Sequence, residues 1–295
     1  MSERMAVRPQ AEPTSPVAQS SPAASAPTPS GRPRKKRRSA VARLRSTALT
    51  ALPFVLVIAL WAGASSAGLI DPLLIPGPKA VADALWDGLV GSGSMWDDVL
   101  ATLVRALVGL VIGCVIGLAV GVLMGQWAWA RTLLEPLISF AFPMPKLALL
   151  PLFIVLFGIG ETSLIVMVTL GAFFPMVVNT HAGVSGVSRV LLWNSLTLGA
   201  GRLQQLRTVI LPAALPHVMS GVRIAGGVSF LLVVAAEMIS ANDGLGYLII
   251  FSQRNYRPDI VIAGIIATAT LGFVIDRAVA VTSRRLLRWQ DTSAT

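Results

Sequence analysis

Charge is what this sequence has least of. Asp, Glu, Lys and Arg make up 13% of its 295 residues, against about a quarter in ordinary soluble domains. That excludes a soluble globular domain, and 54% hydrophobic content with a mean hydropathy of +0.73 points the same way. Cysteine is almost missing. The lone Cys114 excludes an intramolecular disulfide and a cysteine metal cluster, and its apolar setting reads as small-residue packing. The two histidines, His181 and His217, lie far apart without metal-ligand spacing and read as interfacial polar residues. No Gly-Lys pair occurs, so there is no phosphate-binding loop of the form G-x-x-x-x-G-K-[ST]. No nucleophile has a plausible base beside it. The chain is therefore read as no enzyme, with no cofactor and no metal site. Acidic residues are outnumbered too, 14 against 24 basic, for a net charge of +10. That balance suggests nucleic acid, but much of the excess sits in residues 32–45, directly before the first apolar run. The placement favours a membrane topology signal over nucleic-acid binding.

What the chain has in quantity is long uncharged windows, each near the roughly 20 residues a membrane helix needs. Six spans are expected, at about 46–70, 106–130, 136–160, 162–182, 217–240 and 260–282. Together they make an all-α membrane domain over residues 46–285. Residues 1–45 are rich in Pro, Ser and Ala and read as a disordered tail, with residues 286–295 as a second tail. The run Arg34-Lys35-Lys36-Arg37-Arg38 meets the membrane with attraction to anionic lipid. It lies too far from the start, before too long an apolar run, to be a signal peptide. Positive charge in the short loops puts both termini and the central loop in the cytoplasm of a multi-pass cell-membrane protein. Asp71, Asp83, Asp87, Asp97, Asp98 and Asp243 then fall outside, with only Lys79, Arg254 and Arg257 as clearly external positive charges. The first outer loop reads as a turn at Ile75-Pro76-Gly77-Pro78 followed by an amphipathic helix from Ala80 to Val90.

The longest connection on the basic side, residues 189–216, reads as a helix from Val190 to Leu198 and a Gly-Ala-Gly turn at Gly199–Gly201. A second helix then runs from Leu203 to Ile210, followed by Pro212 and Pro216. A helix–turn–helix between two spans has the form of a docking element. It fits either the membrane half of a two-part machine or a self-sufficient carrier or anchor with a structured loop. A carrier often has two related halves with matching breaks; only one span here is proline-broken. In the second span Gly109, Gly113, Gly117, Gly121 and Gly125 recur every fourth residue, a ridge for close helix packing or a sliding surface. Arg105, Lys146, Arg223 and Glu237 are charges at or within the first five spans. Arg105 and Arg223 are expected to snorkel to the interfaces. Lys146 and Glu237 either pair across helices, contact solute or line a wet path. Pro143 and Pro145 break the backbone where only protein or a cavity can cover it, which makes residues 142–150 a candidate pathway lining.

Several motifs carry a family resemblance, over about residues 50–285. Gly199, then Val209, Leu211 and Pro212, resemble the G…I-x-L-P half of the cytoplasmic signature loop of ABC importer permeases. Ile75-Pro76-Gly77-Pro78, the run from Pro145 to Leu152, and Phe157-Gly158-Ile159-Gly160-Glu161 resemble the nitrate/sulfonate/taurine branch, as do Gly171–Pro175, Asn179-Thr180, Leu211–Pro216, Ala235-Ala236-Glu237-Met238 and Gly244-Leu245-Gly246-Tyr247. One departure stands out. Where that loop opens Glu-Ala-Ala, this chain has Trp193-Asn194-Ser195, without the carboxylate that helps seat it.

The resemblance implies a type I ABC importer permease fold and a homodimer of such subunits. It implies a cytoplasmic ABC ATPase partner that hydrolyses ATP and an extracytoplasmic solute-binding protein that does most of the selecting. Cargo would be a small anion of the sulfonate, taurine or nitrate class, or alternatively a heterocyclic vitamin precursor of thiamine-pyrimidine or riboflavin type. ATPase coupling would fall on Val190, Leu191, Trp193, Asn194, Leu196, Thr197, Leu198, Gly199, Ala200, Arg202, Leu211 and Pro212. The translocation pathway is placed at Phe142, Met144, Lys146 and Glu237.

Overall fold

The structure, a computed structural model, describes residues 40–287, with side chains from Leu52 onward apart from Phe54. The expected tails, including the run from Arg34 to Arg38, lie largely outside the described residues. The residues from Phe54 on form one unit, which is the subject below. The described chain folds into helices α1 (Ala40–Ser66), α2 (Pro78–Trp86), α3 (Met95–Gln126), α4 (Ala128–Ala141), α5 (Leu150–Phe157) and α6 (Glu161–Ser185). It continues through α7 (Arg189–Thr197), α8 (Arg202–Gln205), α9 (Leu211–Ser240), α10 (Leu245–Arg254) and α11 (Pro258–Leu286). Four continuous helices are long and apolar enough to cross a bilayer: Met95–Gln126, Glu161–Ser185, Arg202–Ser240 and Pro258–Leu286. α4 and α5 would make a fifth crossing, bent by 94°. In α1 the described apolar part is Val55–Ser66.

The glycine ridge decides the arrangement. All five glycines face α6: Gly109 meets Val168, Gly117 meets Phe173 and Met176, and Gly125 meets Val184. Residue numbers rise together along both helices, so α3 and α6 run parallel. The end of α3 and the start of α6 therefore lie at opposite ends of the bundle. The bent α4–α5 pair must carry the chain across the full height, so it is one broken span and not a re-entrant loop. α9 runs antiparallel to α6, with Gly171 against Leu232 and Gly183 against Ala214. α11 runs antiparallel to α9, with Gly272 against Phe230 and Asp276 against Arg223. Contact this close leaves no room for a side chain: a Cβ on Gly117 would stand 2.8 Å from the Phe173 carbonyl oxygen. We predict that Gly117→Leu lowers stability by about 1–3 kcal/mol or more, as overpacking does. Unfolding of the purified protein in detergent measures it, and an unchanged midpoint would contradict the packing.

Several boundaries differ from the sequence reading. The second span begins at Met95, about ten residues earlier than expected, because the charge of Arg105 is paired inside the bundle. Asp97 and Asp98 occupy its first turn, where the helix dipole favours anions. The fifth span begins at Arg202 and not at residue 217. Pro212 sits in the first turn of α9, and a wide turn at Leu206–Ile210 joins that helix to α8 without a break. α10 was not expected at all.

Candidate functional site

At the end where α3 and α6 begin, the brace around Arg105 holds four segments together. Its guanidinium is 2% exposed and not at an interface, contrary to the snorkelling expected of it. Nε donates to Glu161 Oε2 at 2.8 Å. One terminal nitrogen donates to Glu237 Oε1 at 2.9 Å and to the Asp243 carbonyl at 3.0 Å. The other bridges the Glu161 and Asp243 carboxylates. Glu237, expected to line the pathway, is 1% exposed and spends its second oxygen on Thr102 Oγ1 and the Gly246 N–H, at 2.9 and 3.0 Å. Thr102 accepts from Leu245 N, and Asp98 accepts from Gly244 N. Glu237 is thus a helix-to-helix pairing residue in this chain. The turn that wraps it needs glycine: Gly244 has φ +102°, and a Cβ there would stand 2.8 Å from the Arg105 guanidinium. The motifs around Glu237 and Gly244 flagged the acceptor. Nothing flagged Glu161 and Asp243 as partners of Arg105, because charges 56 and 138 residues away from it are joined only by the fold.

At the opposite end, α7 forms an exposed elbow. Its buried side is small. Leu192 joins Val184, Val187, Leu206, Ile210 and Ala214. Ser195, the third residue of the departed motif, is buried and donates to the Leu192 carbonyl at 2.7 Å. Gln205 on α8 donates to Ser195 Oγ at 2.7 Å and to the Leu192 carbonyl at 3.0 Å, tying the elbow to the foot of the long helix. Ser195 was named only as part of the departed motif, and Gln205 was not singled out from sequence. Gly199 closes the helix in the left-handed region at φ +79°, its N–H bonded to the Leu196 carbonyl. Outward go Val190, Leu191, Trp193, Leu196 and Leu198, with Trp193 62% and Leu198 87% exposed. Asn194 and Thr197 are exposed between them, and Ala200 and Leu211 are half-buried. Arg202 borders a recess of about 580 Å³ lined also by Gln126, Trp127 and Gln205. A nine-residue helix with four large apolar side chains in the open, and Leu198 as a fifth at its C-cap, is built to be covered.

Midway between the ends, α4 stops at Pro143 and Pro145 and a tight turn over Lys146–Leu149 leads into α5. Lys146 Nζ donates to the Phe142 carbonyl at 2.8 Å and lies over the rings of Phe142 and Phe174. Phe142 and Met144 are exposed at the bend. Arg223, expected to snorkel to an interface, is exposed and pairs with Asp276 of α11 at 3.0 Å.

Parallel α3 and α6 joined by a broken crossing, with an elbow before the long α9, match known proteins. The family described as binding-protein-dependent transport system inner membrane component matches residues 109–288. The chain belongs to that family. Its members are transport components, which agrees with a subunit that does no chemistry. The Escherichia coli protein SsuC, by name an aliphatic sulfonates transport permease, is 39% identical over 233 residues, 79% of this chain and 88% of that one. The taurine transport system permease protein TauC of Escherichia coli is 35% identical over 249 residues, 83% of this chain and 90% of that one. Among solved structures, a chain of the inward-facing MetNI methionine ABC transporter superposes with a TM-score of 0.55 at 25% identity, covering 66% of this chain and 98% of that one. The fold is therefore that of a type I ABC importer permease.

Proposed function

We propose that residues 46–285 form one membrane half of an importer for small organic sulfonates, driven by a separate ABC ATPase and fed by an extracytoplasmic binding protein. The observation that carries it is the uncovered apolar face of α7, tied by Ser195 and Gln205 to a helix of 39 residues. A partner that pushes on the elbow acts on Arg202–Ser240 through the Gln205 bonds to Ser195 and Leu192, which span the short Gly199–Gly201 turn. Where a carboxylate opens the related loop, Trp193 stands exposed, so the receiving groove on the ATPase is apolar at that point. The elbow end carries Arg131, Arg189, Arg202, Arg207, Arg284 and Arg285 against Glu135, while the brace end carries Asp83, Asp87, Asp97, Asp98, Glu161 and Asp243 with only Lys79, Arg254 and Arg257 as positive charges beside Arg105. The elbow end is therefore cytoplasmic, with both termini on that side. A second copy completes the pathway. The sulfonate class follows from the names of SsuC and TauC.

The test is reconstitution of the full chain into proteoliposomes with its ATPase and binding protein. Uptake of taurine or a simple alkanesulfonate is expected, dependent on ATP, with no uptake of riboflavin. Uptake of riboflavin alone would overturn the cargo class. Uptake without the ATPase would overturn the machine.

A further inference from the structure

We propose that the Lys146 ammonium is an intramembrane binding site for the anionic head of the cargo in transit. It rests on the sulfonate-importer reading above and gives that reading a residue.

Depth comes first. Lys146 Nζ lies 5.2 Å from the centre of the Phe174 ring. Phe174 is 13 residues from the start and 11 from the end of α6, whose bounds are Glu161–Ser185. At 1.5 Å per residue that is about 20 Å from one end and about 17 Å from the other. The charge is therefore at mid-height, where an ammonium without a counter-charge or water is strongly disfavoured. Yet no carboxylate among the described residues lies within 4.0 Å of it, whereas Arg105, Arg131 and Arg223 each have at least one.

The ammonium's inventory shows what is missing. It has three protons to donate, and the Phe142 carbonyl takes one. The rings of Phe142 and Phe174 stabilise the cation electrostatically without accepting a full hydrogen bond. Two donors remain. They sit at the 94° break, beside Phe142, Pro143, Met144 and Pro145, all exposed on the flank of the bundle. A sulfonate offers several acceptor oxygens and one negative charge, which matches what the site lacks. Its short carbon chain can lie on the same Phe and Met side chains. A neutral heterocycle supplies no charge.

The test uses the reconstituted assembly in a Cys114→Ser background, which leaves no other cysteine in the chain. Lys146→Gln is expected to lower alkanesulfonate uptake about tenfold or more, the worth of one charge-assisted hydrogen bond. Lys146→Arg is expected to keep most of it. Lys146→Cys should be as poor as Lys146→Gln, then recover when 2-aminoethyl methanethiosulfonate puts an ammonium back. Methyl methanethiosulfonate, which adds no charge, should not rescue it. Equal recovery with the neutral reagent would show that Lys146 only fills space. Undiminished uptake by Lys146→Gln would overturn the site while leaving the importer standing. A wild-type assembly that moves no anion would overturn both.

Discussion

Arg105→Met is expected to cost the folded protein about 3–5 kcal/mol, the usual result of removing one partner from a buried ion pair. Glu237 would remain 1% exposed with its cation gone. The loss spreads beyond that pair, since the same guanidinium anchors the start of α6 through Glu161 and the α9–α10 turn through Asp243. Glu237→Gln is expected to cost less, because Arg105 keeps Glu161 and Asp243. The double variant should be more stable than the sum of the two losses predicts, as residues in one network are. Denaturant titration of the purified protein reads all three. If Arg105→Met unfolds within about 1 kcal/mol of wild type, the brace contributes little, as an exposed surface pair would.

Leu198→Asp, alone and with Trp193→Asp, is expected to release the ATPase. Both side chains are exposed in this chain, so the folded protein has no reason to unfold. An interface anchor is worth at least about 2 kcal/mol, roughly thirtyfold in affinity. The ATPase should be lost on co-purification, and ATP-driven uptake should fall with it. Unchanged helical content by circular dichroism separates lost docking from misfolding. Retention of the ATPase with normal uptake would put the docking surface elsewhere. Ser195→Ala makes a subtler point: it removes the bond from Gln205 and should loosen the elbow without touching the outer face.

Much of this fold was legible in the sequence, for physical reasons. A glycine every fourth residue has one efficient use on a helix, and all five line the α3–α6 contact. Pro143 and Pro145 cannot extend a helical ladder, and α4 ends at Ala141. The elbow followed from Gly199, where a left-handed residue ends α7. One misreading follows from the assumption that charge marks the edge of the membrane. Arg105 breaks it, because three carboxylates from distant segments meet its guanidinium. Taking it as an edge shortened α3 and hid the brace. A similar assumption about proline delayed the start of the fifth span, although Pro212 is tolerated in the first turn of α9. α10 was missed because it is short, with Leu245, Ile249 and Ser252 buried on it; Leu245 packs with Val81, Met95 and Ala263.

The most direct measurement places one reactive thiol at the elbow tip. With Cys114→Ser, Leu198→Cys becomes the sole cysteine of the chain. A cysteine scan of the ATPase surface, with oxidation and uptake measured on the same proteoliposomes, then reads contact and transport together. A disulfide between position 198 and the ATPase that arrests ATP-driven sulfonate uptake, reversed by reductant, is the predicted result. Uptake that continues with the elbow locked, or with no ATPase present, would contradict it.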